Sequence, residues 1–279
     1  MKGFLKFCKK NPSFTIGFIV MVIVMILAIF APQIAPNDPY QNNPKISLMK
    51  PFVDPQYPLG TDYIGRCLLS RMIYGIRTSM VLCVLALVGA LALGISVGII
   101  SGMSYPGKTD TVLMRIVDVQ LGFPFIVLVI ILISLIGQTI PSLALVLALS
   151  YWAPYARNIR SITMIENGAD YISAAKLMGA SKGRIAVTYI GRNVIPGILP
   201  VVPMDFSAAI VLESLMSYMG LGILPPTISL GSIMGDGKVY ISTHWWITAM
   251  PGILIIIMAI ALTLMGDALH KHFDPKLNS

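Results

Sequence analysis

The sequence predicts an all-α, polytopic membrane protein with six transmembrane helices. Three observations lead there. Of 279 residues, 56% are hydrophobic and only 11% charged, with a mean hydropathy of +0.81; a soluble domain of this length needs more charge to cover its surface. Uncharged runs recur at bilayer length, since about 20 residues at about 1.5 Å rise cross the hydrocarbon. The basic residues are distributed unevenly between the segments that join those runs.

The first span is expected at about Phe14 to Ala35. It follows a basic start, MKGFLKFCKK, as a signal peptide would, but the uncharged stretch from Asn11 to Asn37 exceeds a signal core and more spans follow. The second is expected from Ser79 to Met103, after an outer loop (36–78) rich in Pro, Asn and Asp whose end, from Tyr57, is amphipathic. The uncharged run between Asp118 and Arg157 holds two short helices broken at Gly137 to Pro141, where Gly and Pro punctuate a turn. The fifth span, about Ile195 to Tyr218, contains Asp205 and Glu213; the sixth, Trp246 to Met265, opens on a Trp pair suited to the interface. The core of five spans therefore runs over 79–266, with a cytoplasmic loop at 157–195 and a tail at 267–279.

Orientation follows from charge. With the N-terminus inside, 14 of the 20 Lys and Arg lie in inner segments, among them Lys2, Lys6 and Lys276, and five of the other six fall in the one long outer loop, where the rule is weaker. Both termini are thus expected in the cytoplasm. The net charge of +8 is explained by these loops and does not call for nucleic acid, because no basic stripe with interleaved aromatics is present. Cys8, Cys67 and Cys83 show no metal-site spacing, and only Cys67 is expected outside, so no internal disulfide is expected. His244, His270 and His272 form no zinc-helix pattern. Residues 102–109, GMSYPGKT, satisfy the literal P-loop pattern. That motif needs a strand before it and a sheet around it to cradle phosphates; here membrane helices flank it, so it reads as a short turn.

The cytoplasmic stretch DYISAAKLMGASKGRIAVTYIGRN, residues 170–193, carries Asp170 and four basic residues between apolar runs. Its first half has good helix formers with an acid near the start, where the helix dipole favours it. Gly179 fits a helix C-terminus, and Ser181 fits the N-cap of a second helix with Ile185, Tyr189 and Ile190 on one stripe. The expectation is a helix, a tight turn and a helix, with Ala174, Ala175, Gly179 and Ala180 at the corner. From the residues alone two readings stay open: a basic loop lying on lipid headgroups, or a docking knob for a soluble partner.

This stretch resembles the "EAA" loop of importer permeases of the ATP-binding cassette (ABC) class. Further along the chain, PLGTDYIGRCLLSRMIYGIRTS, MRIVDVQLGFP, YARNIRS, ESLMSYMGLGILPPTISLGSIMGDG, MPG and LMGDALHKHFDPKL resemble, in order, the dipeptide/oligopeptide/nickel branch, in particular its second permease subunit. The resemblance implies the type I ABC importer permease fold and a multi-pass place in a prokaryotic cell membrane. It also implies the partners: a second homologous permease, two cytoplasmic ATPases that bind the ATP and magnesium this chain does not, and an extracytoplasmic binding protein delivering peptides or nickel and other metal chelates. Carried over to this chain, the coupling residues are Ser173, Ala174, Ala175, Lys176, Met178, Gly179, Ala180, Ser181 and Arg184. Arg157 and Arg160, and Asn193 to Pro196, are the expected joints of that element to the spans. The chain departs from the family pattern at Ser173, where an acid is usual, at Gly191-Arg192, at Cys67 and at Asp205.

No catalytic constellation is present, so the chain is expected to be a transport subunit and not an enzyme. Acids inside a membrane mark function by default. Asp205 and Glu213 are therefore candidate path residues for a cationic solute, the alternative being packing against a polar group of the partner permease. A proton-coupled secondary carrier using the same two acids is the rival reading; it would carry an inverted repeat, and none is evident.

Overall fold

The computed structural model describes residues 7–273; Lys2, Lys6 and Lys276, counted for topology, and the end of the tail lie outside them. The described residues form helices joined by turns, with one isolated bridge between Thr61 and Cys67. Helix α1 spans Pro12–Ile29 and is continued, after a break at Phe30, by α2, Ala31–Ile34. Helix α3 spans Leu68–Met103, 36 residues without interruption. The end of the amphipathic leader, from Leu68, and the expected second span are therefore one rod, about 54 Å long at 1.5 Å per residue.

After a turn at 104–107 come α4, Lys108–Gly122, α5, Phe125–Ile136, and α6, Ile140–Asn167. The expected break falls at Gly137 to Thr139, where Gly137 has φ +82 and Thr139 caps α6 by accepting from the Ser142 N–H. Helices α4 and α5 meet at a 98° bend. Four helices, α1, α3, Val201–Tyr218 (α10, below) and Trp246–Phe273 (α12), are long and apolar enough to cross a membrane, and the bent pair makes five if it counts as one span.

Glycines set the central contact. A Cβ at Gly94, Gly98 or Gly102 of α3 would lie 2.5, 2.7 and 2.5 Å from the Cβ of Tyr155, Ile159 and Thr163 of α6. Only small residues let two helix backbones approach so closely. The matching order of these contacts means that α3 and α6 run parallel, so α4 and α5 together return the chain from one end of the bundle to the other.

Helix α7, Asp170–Leu177, follows α6. Then α8, Lys182–Arg184, runs through a π-helical turn, Ile185–Ile190, into α9, Gly191–Ile198, and α10, Val201–Tyr218. The segment between α10 and α12 is not an open loop: it contains α11, Leu230–Gly237, capped reciprocally by Ser229 and Ser232. Leu230 and Ile233 are fully buried, and Gly231 sits against the Ser214 backbone, so α11 is wedged among α3, α10 and α12.

Helix α12, Trp246–Phe273, runs against α1 and α10. Phe7 and His272 stack edge to face at 4.9 Å, and Gly266 meets Met204 and the Pro200 carbonyl. The described ends of the chain and the corner between α6 and α10 therefore lie on one side of the bundle. The start of α3, α11 and the start of α12 lie on the other.

The candidate coupling corner and the intramembrane acids

The corner is built by local rules and then tied down by tertiary ones. Asp170 sits in the first turn of α7, where a carboxylate is favoured by the unpaired N–H groups. Gly179 has φ +82, and its N–H donates to the Lys176 carbonyl while that of Ala180 donates to Ala175. An L side chain adopts this left-handed conformation only with strain. Ser181 then accepts from the Arg184 N–H at 3.3 Å and starts the next helix. Ile185 and Ile190 are buried and Tyr189 is half-buried, so the stripe faces inward.

Three side chains lock the corner to the spans on either side. Glu166 at the end of α6 accepts from the Tyr171 hydroxyl of α7 and, at 2.7 Å, from the Asn193 amide of α9. Asn193 also donates to the Tyr171 oxygen at 3.0 Å. The hydrogen bond to the Glu166 carboxylate holds the Tyr171 phenol above its usual value. Lys176 Nζ donates to Asn167 at 3.1 Å. Asn193 was legible as a joint; Glu166 and Tyr171 were not singled out, although Glu166 ends an otherwise acid-free helix.

Arg157 and Arg160, expected as the other joint of the corner, make their ion pairs with α4 instead. Arg160 donates through Nε and Nη2 to the two oxygens of Asp110 at 2.5 and 2.7 Å, a bidentate fork, and Ser101 donates to the same carboxylate. Charge-assisted bidentate pairs are the strong ones. Asp110 is buried, so the ends of α3 and α6 and the start of α4 are clamped together. Arg157 pairs with Asp118 at 2.5 Å, but both are about half exposed, and such pairs contribute little.

Of the expected coupling residues, Ser173, Ala174, Lys176, Met178, Gly179, Ser181 and Arg184 are exposed. Ala175 is not: it is 1% exposed, beside the buried Ile172, and anchors α7 from within. Ala180 is half-buried against the core. The most exposed apolar side chain of the corner is Leu177, at 90%, followed by Met178 at 79%. Leu177 was not singled out in the sequence; a helix stripe does not say which apolar residue lacks a cover.

The two acids of α10 part company. Glu213 is 0% exposed and accepts from Ser79 at 2.9 Å, Ser217 at 2.8 Å and Ser214 at 3.4 Å. Its partners are hydroxyls of this same chain. Ser79 in turn accepts from the Leu230 N–H at 3.4 Å, which ties α11 to α3 and α10. Asp205 is partly exposed. The Tyr155 hydroxyl is buried and makes no hydrogen bond of normal geometry. Among the described residues no group of three or more His, Cys, Asp or Glu is placed to hold a metal ion.

Comparison with known proteins agrees with this architecture. The family described as binding-protein-dependent transport system inner membrane component matches residues 94–279, and the N-terminal transmembrane domain of oligopeptide transport permease C matches residues 2–51. The chain is 34% identical to the dipeptide transport system permease protein DppC of Haemophilus influenzae, covering 99% of this chain and 95% of that protein. It is 30% identical to the nickel transport system permease protein NikC of Escherichia coli, covering 97% of each. Among solved structures, the inward-facing MetNI methionine ABC transporter superposes with a TM-score of 0.61 at 17% identity, over 74% of this chain and 98% of that one; at that identity the likeness shows the fold alone. The chain is therefore a permease, and it belongs to the family of inner membrane components of binding-protein-dependent transport systems.

Proposed function

We propose that this permease is one of two membrane subunits of an ATP-driven importer, and that the corner from Asp170 to Arg184 seats a cytoplasmic ATPase. The observation that carries the coupling assignment is the corner itself: two exposed apolar side chains, Leu177 and Met178, on an element cross-tied to α6 and α9 by Glu166, Tyr171 and Asn193. A lever must be stiff toward the spans and open toward its partner, and this one is both.

On this reading the bundle crosses a prokaryotic cell membrane six times, with both termini and the corner in the cytoplasm. Phe7, His272 and the corner lying on one side supports that orientation. The helix α6, parallel to α3, supplies the sixth crossing. The corner belongs to the segment 157–195, within a core of 79–266. A second homologous permease completes the pathway, two ATPases bind the ATP and magnesium, and an extracytoplasmic binding protein delivers the solute. The names of the relatives support peptides or nickel, free or chelated, as cargo. Asp205 is the acid placed to meet a cationic solute; Glu213 acts as an internal pin.

None of the comparisons supports a proton-coupled carrier. Uptake into proteoliposomes containing the assembled complex separates the two. Uptake that stops on ATP depletion and survives collapse of the proton gradient is the expected result; the reverse would overturn the proposal.

A further inference from the structure

On the side of the bundle opposite the coupling corner, a cavity of about 530 Å³ opens between the 40–66 loop and the 217–238 segment. Its wall includes Arg66, Arg71, Asp236 and Lys238, with Tyr63 and Tyr218 beside them. The charges do not balance there. Asp62 stands behind the wall, its Oδ1 already accepting from the Ile64 and Arg66 N–H groups at 3.1 and 2.9 Å. Its Oδ2 takes Arg66 Nε at 2.6 Å and lies 3.4 Å from Arg71 Nη1. Asp236 Oδ2 takes Arg71 Nη2 at 2.9 Å and Arg66 Nη2 at 3.4 Å.

Two guanidiniums carry five N–H donors each, and these two carboxylates occupy only part of them. Arg71 is 3% exposed, and its Nε and Nη1 have no hydrogen-bond partner. Buried donors without partners are costly and rare in folded proteins. Lys238 stands exposed at the rim and pairs with no acid among the described residues. Three cationic groups therefore face two carboxylates, an excess of one positive charge, and of the three it is Arg66 and the exposed Lys238 that front the cavity, with Arg71 buried behind them. Planar, bidentate donor pairs match the geometry of a carboxylate.

We propose that this cavity is a carboxylate-binding vestibule, in which Arg66 and Lys238, backed by the buried Arg71, receive a free carboxylate on the face where solute arrives. The proposal rests on the permease reading above. Two sources share the chemistry: the carboxylate of the solute itself, as at a peptide C-terminus, and an acidic side chain of the binding protein.

The test uses the importer purified with its partner subunits. Calorimetry compares dialanine with dialanine amide, probes that differ in the free carboxylate, on complexes carrying the native chain, Arg66→Gln or Lys238→Gln. Lys238 is exposed and holds nothing in the fold, so its variant keeps the test open if Arg66→Gln fails to assemble. Dialanine is expected to bind about ten-fold tighter than its amide, and either variant to close that gap, since a lost charge-assisted contact commonly costs a factor of this order. If acid and amide bind alike while Lys238→Gln weakens binding-protein association about ten-fold, the carboxylate comes from the binding protein. If neither changes, the cluster is a strut only and the proposal is overturned. ATP-dependent uptake, measured on the same complexes, tests the permease reading independently; its persistence alongside a failed carboxylate test sinks only the vestibule.

Discussion

Asn193 donates its side-chain amide to the Glu166 carboxylate at 2.7 Å, joining positions 27 residues apart across the coupling corner. This bond closes the base of the corner, so α7 cannot swing without moving both α6 and α9. A hydrogen bond to a charged group contributes about 1.5–3 kcal/mol when shielded, and less here because Asn193 is exposed, so the stiffness rests on the three bonds of the Glu166–Tyr171–Asn193 set together.

Asn193→Leu removes both amide bonds at the joint. The complex is expected to assemble, but solute transported per ATP hydrolysed should fall several-fold in proteoliposomes; an unchanged ratio would show that the corner does not transmit force. Glu166→Gln should be milder, because the shape is kept. The pH dependence has a definite sign. The Tyr171 phenol is raised above its ordinary value of 10.0, so its contribution is complete below that value and is lost as pH rises through the raised one. Coupling is expected to be flat across neutral pH.

Gly179 separates backbone strain from contact with a partner. A Cβ there meets nothing within 4 Å in this chain, yet φ is +82. Gly179→Ala is expected to cost about 1–2 kcal/mol of local stability, and Gly179→Asn less. Gly179→Trp adds bulk that only a docked partner can feel. It should leave the permease folded and lower ATP-driven uptake far more than Gly179→Ala; equal effects of the two would place the docking surface elsewhere.

The α3–α6 contact is expected to be intolerant of one methyl group. A Cβ at Gly98 lies 2.7 Å from Ile159 Cβ and 2.8 Å from the Ala156 carbonyl, and overpacking costs about 1–3 kcal/mol. Gly98→Ala should lower the melting temperature of the purified permease, and Gly98→Val should abolish its accumulation in the membrane. Gly122→Ala is the control, since nothing lies within 4 Å of its Cβ.

The two acids of α10 should behave differently. Glu213→Leu leaves the hydroxyls of Ser79 and Ser217 without their acceptor, at about 1–3 kcal/mol for each stranded group, so thermal stability should drop sharply. Asp205→Asn should melt like the native protein but change the relative uptake of cationic and neutral peptides several-fold. A profile that does not change would remove Asp205 from the path.

Some of this was written in short stretches of sequence. Gly179 and Ser181 act through their own backbone and the next turn, so a left-handed cap and an N-cap could be read directly, and the break at Gly137 likewise. Other residues depend on what lies opposite them. Ala175 has the same side chain as Ala174, yet one is buried and the other exposed. Glu213 looked like a lumen group because a membrane acid needs a partner, and its partners turned out to be serines, one of them 134 positions away.

By itself the sequence determined the apolar helices, the break at Gly137, the helix–turn–helix between 170 and 193 and the family, because each depends on composition, local torsions or motif order; the 98° bend between α4 and α5 was not foreseen. Tertiary structure decided the parallel contact of α3 with α6, the burial of α11, the lock at Glu166 and the ion-pair cluster joining Arg71 to Asp236 across 165 residues. Those depend on which faces meet, and in a bundle whose helices are apolar nearly all round, hydrophobic pattern carries no record of that. It is set where two small residues or two complementary polar groups happen to fit.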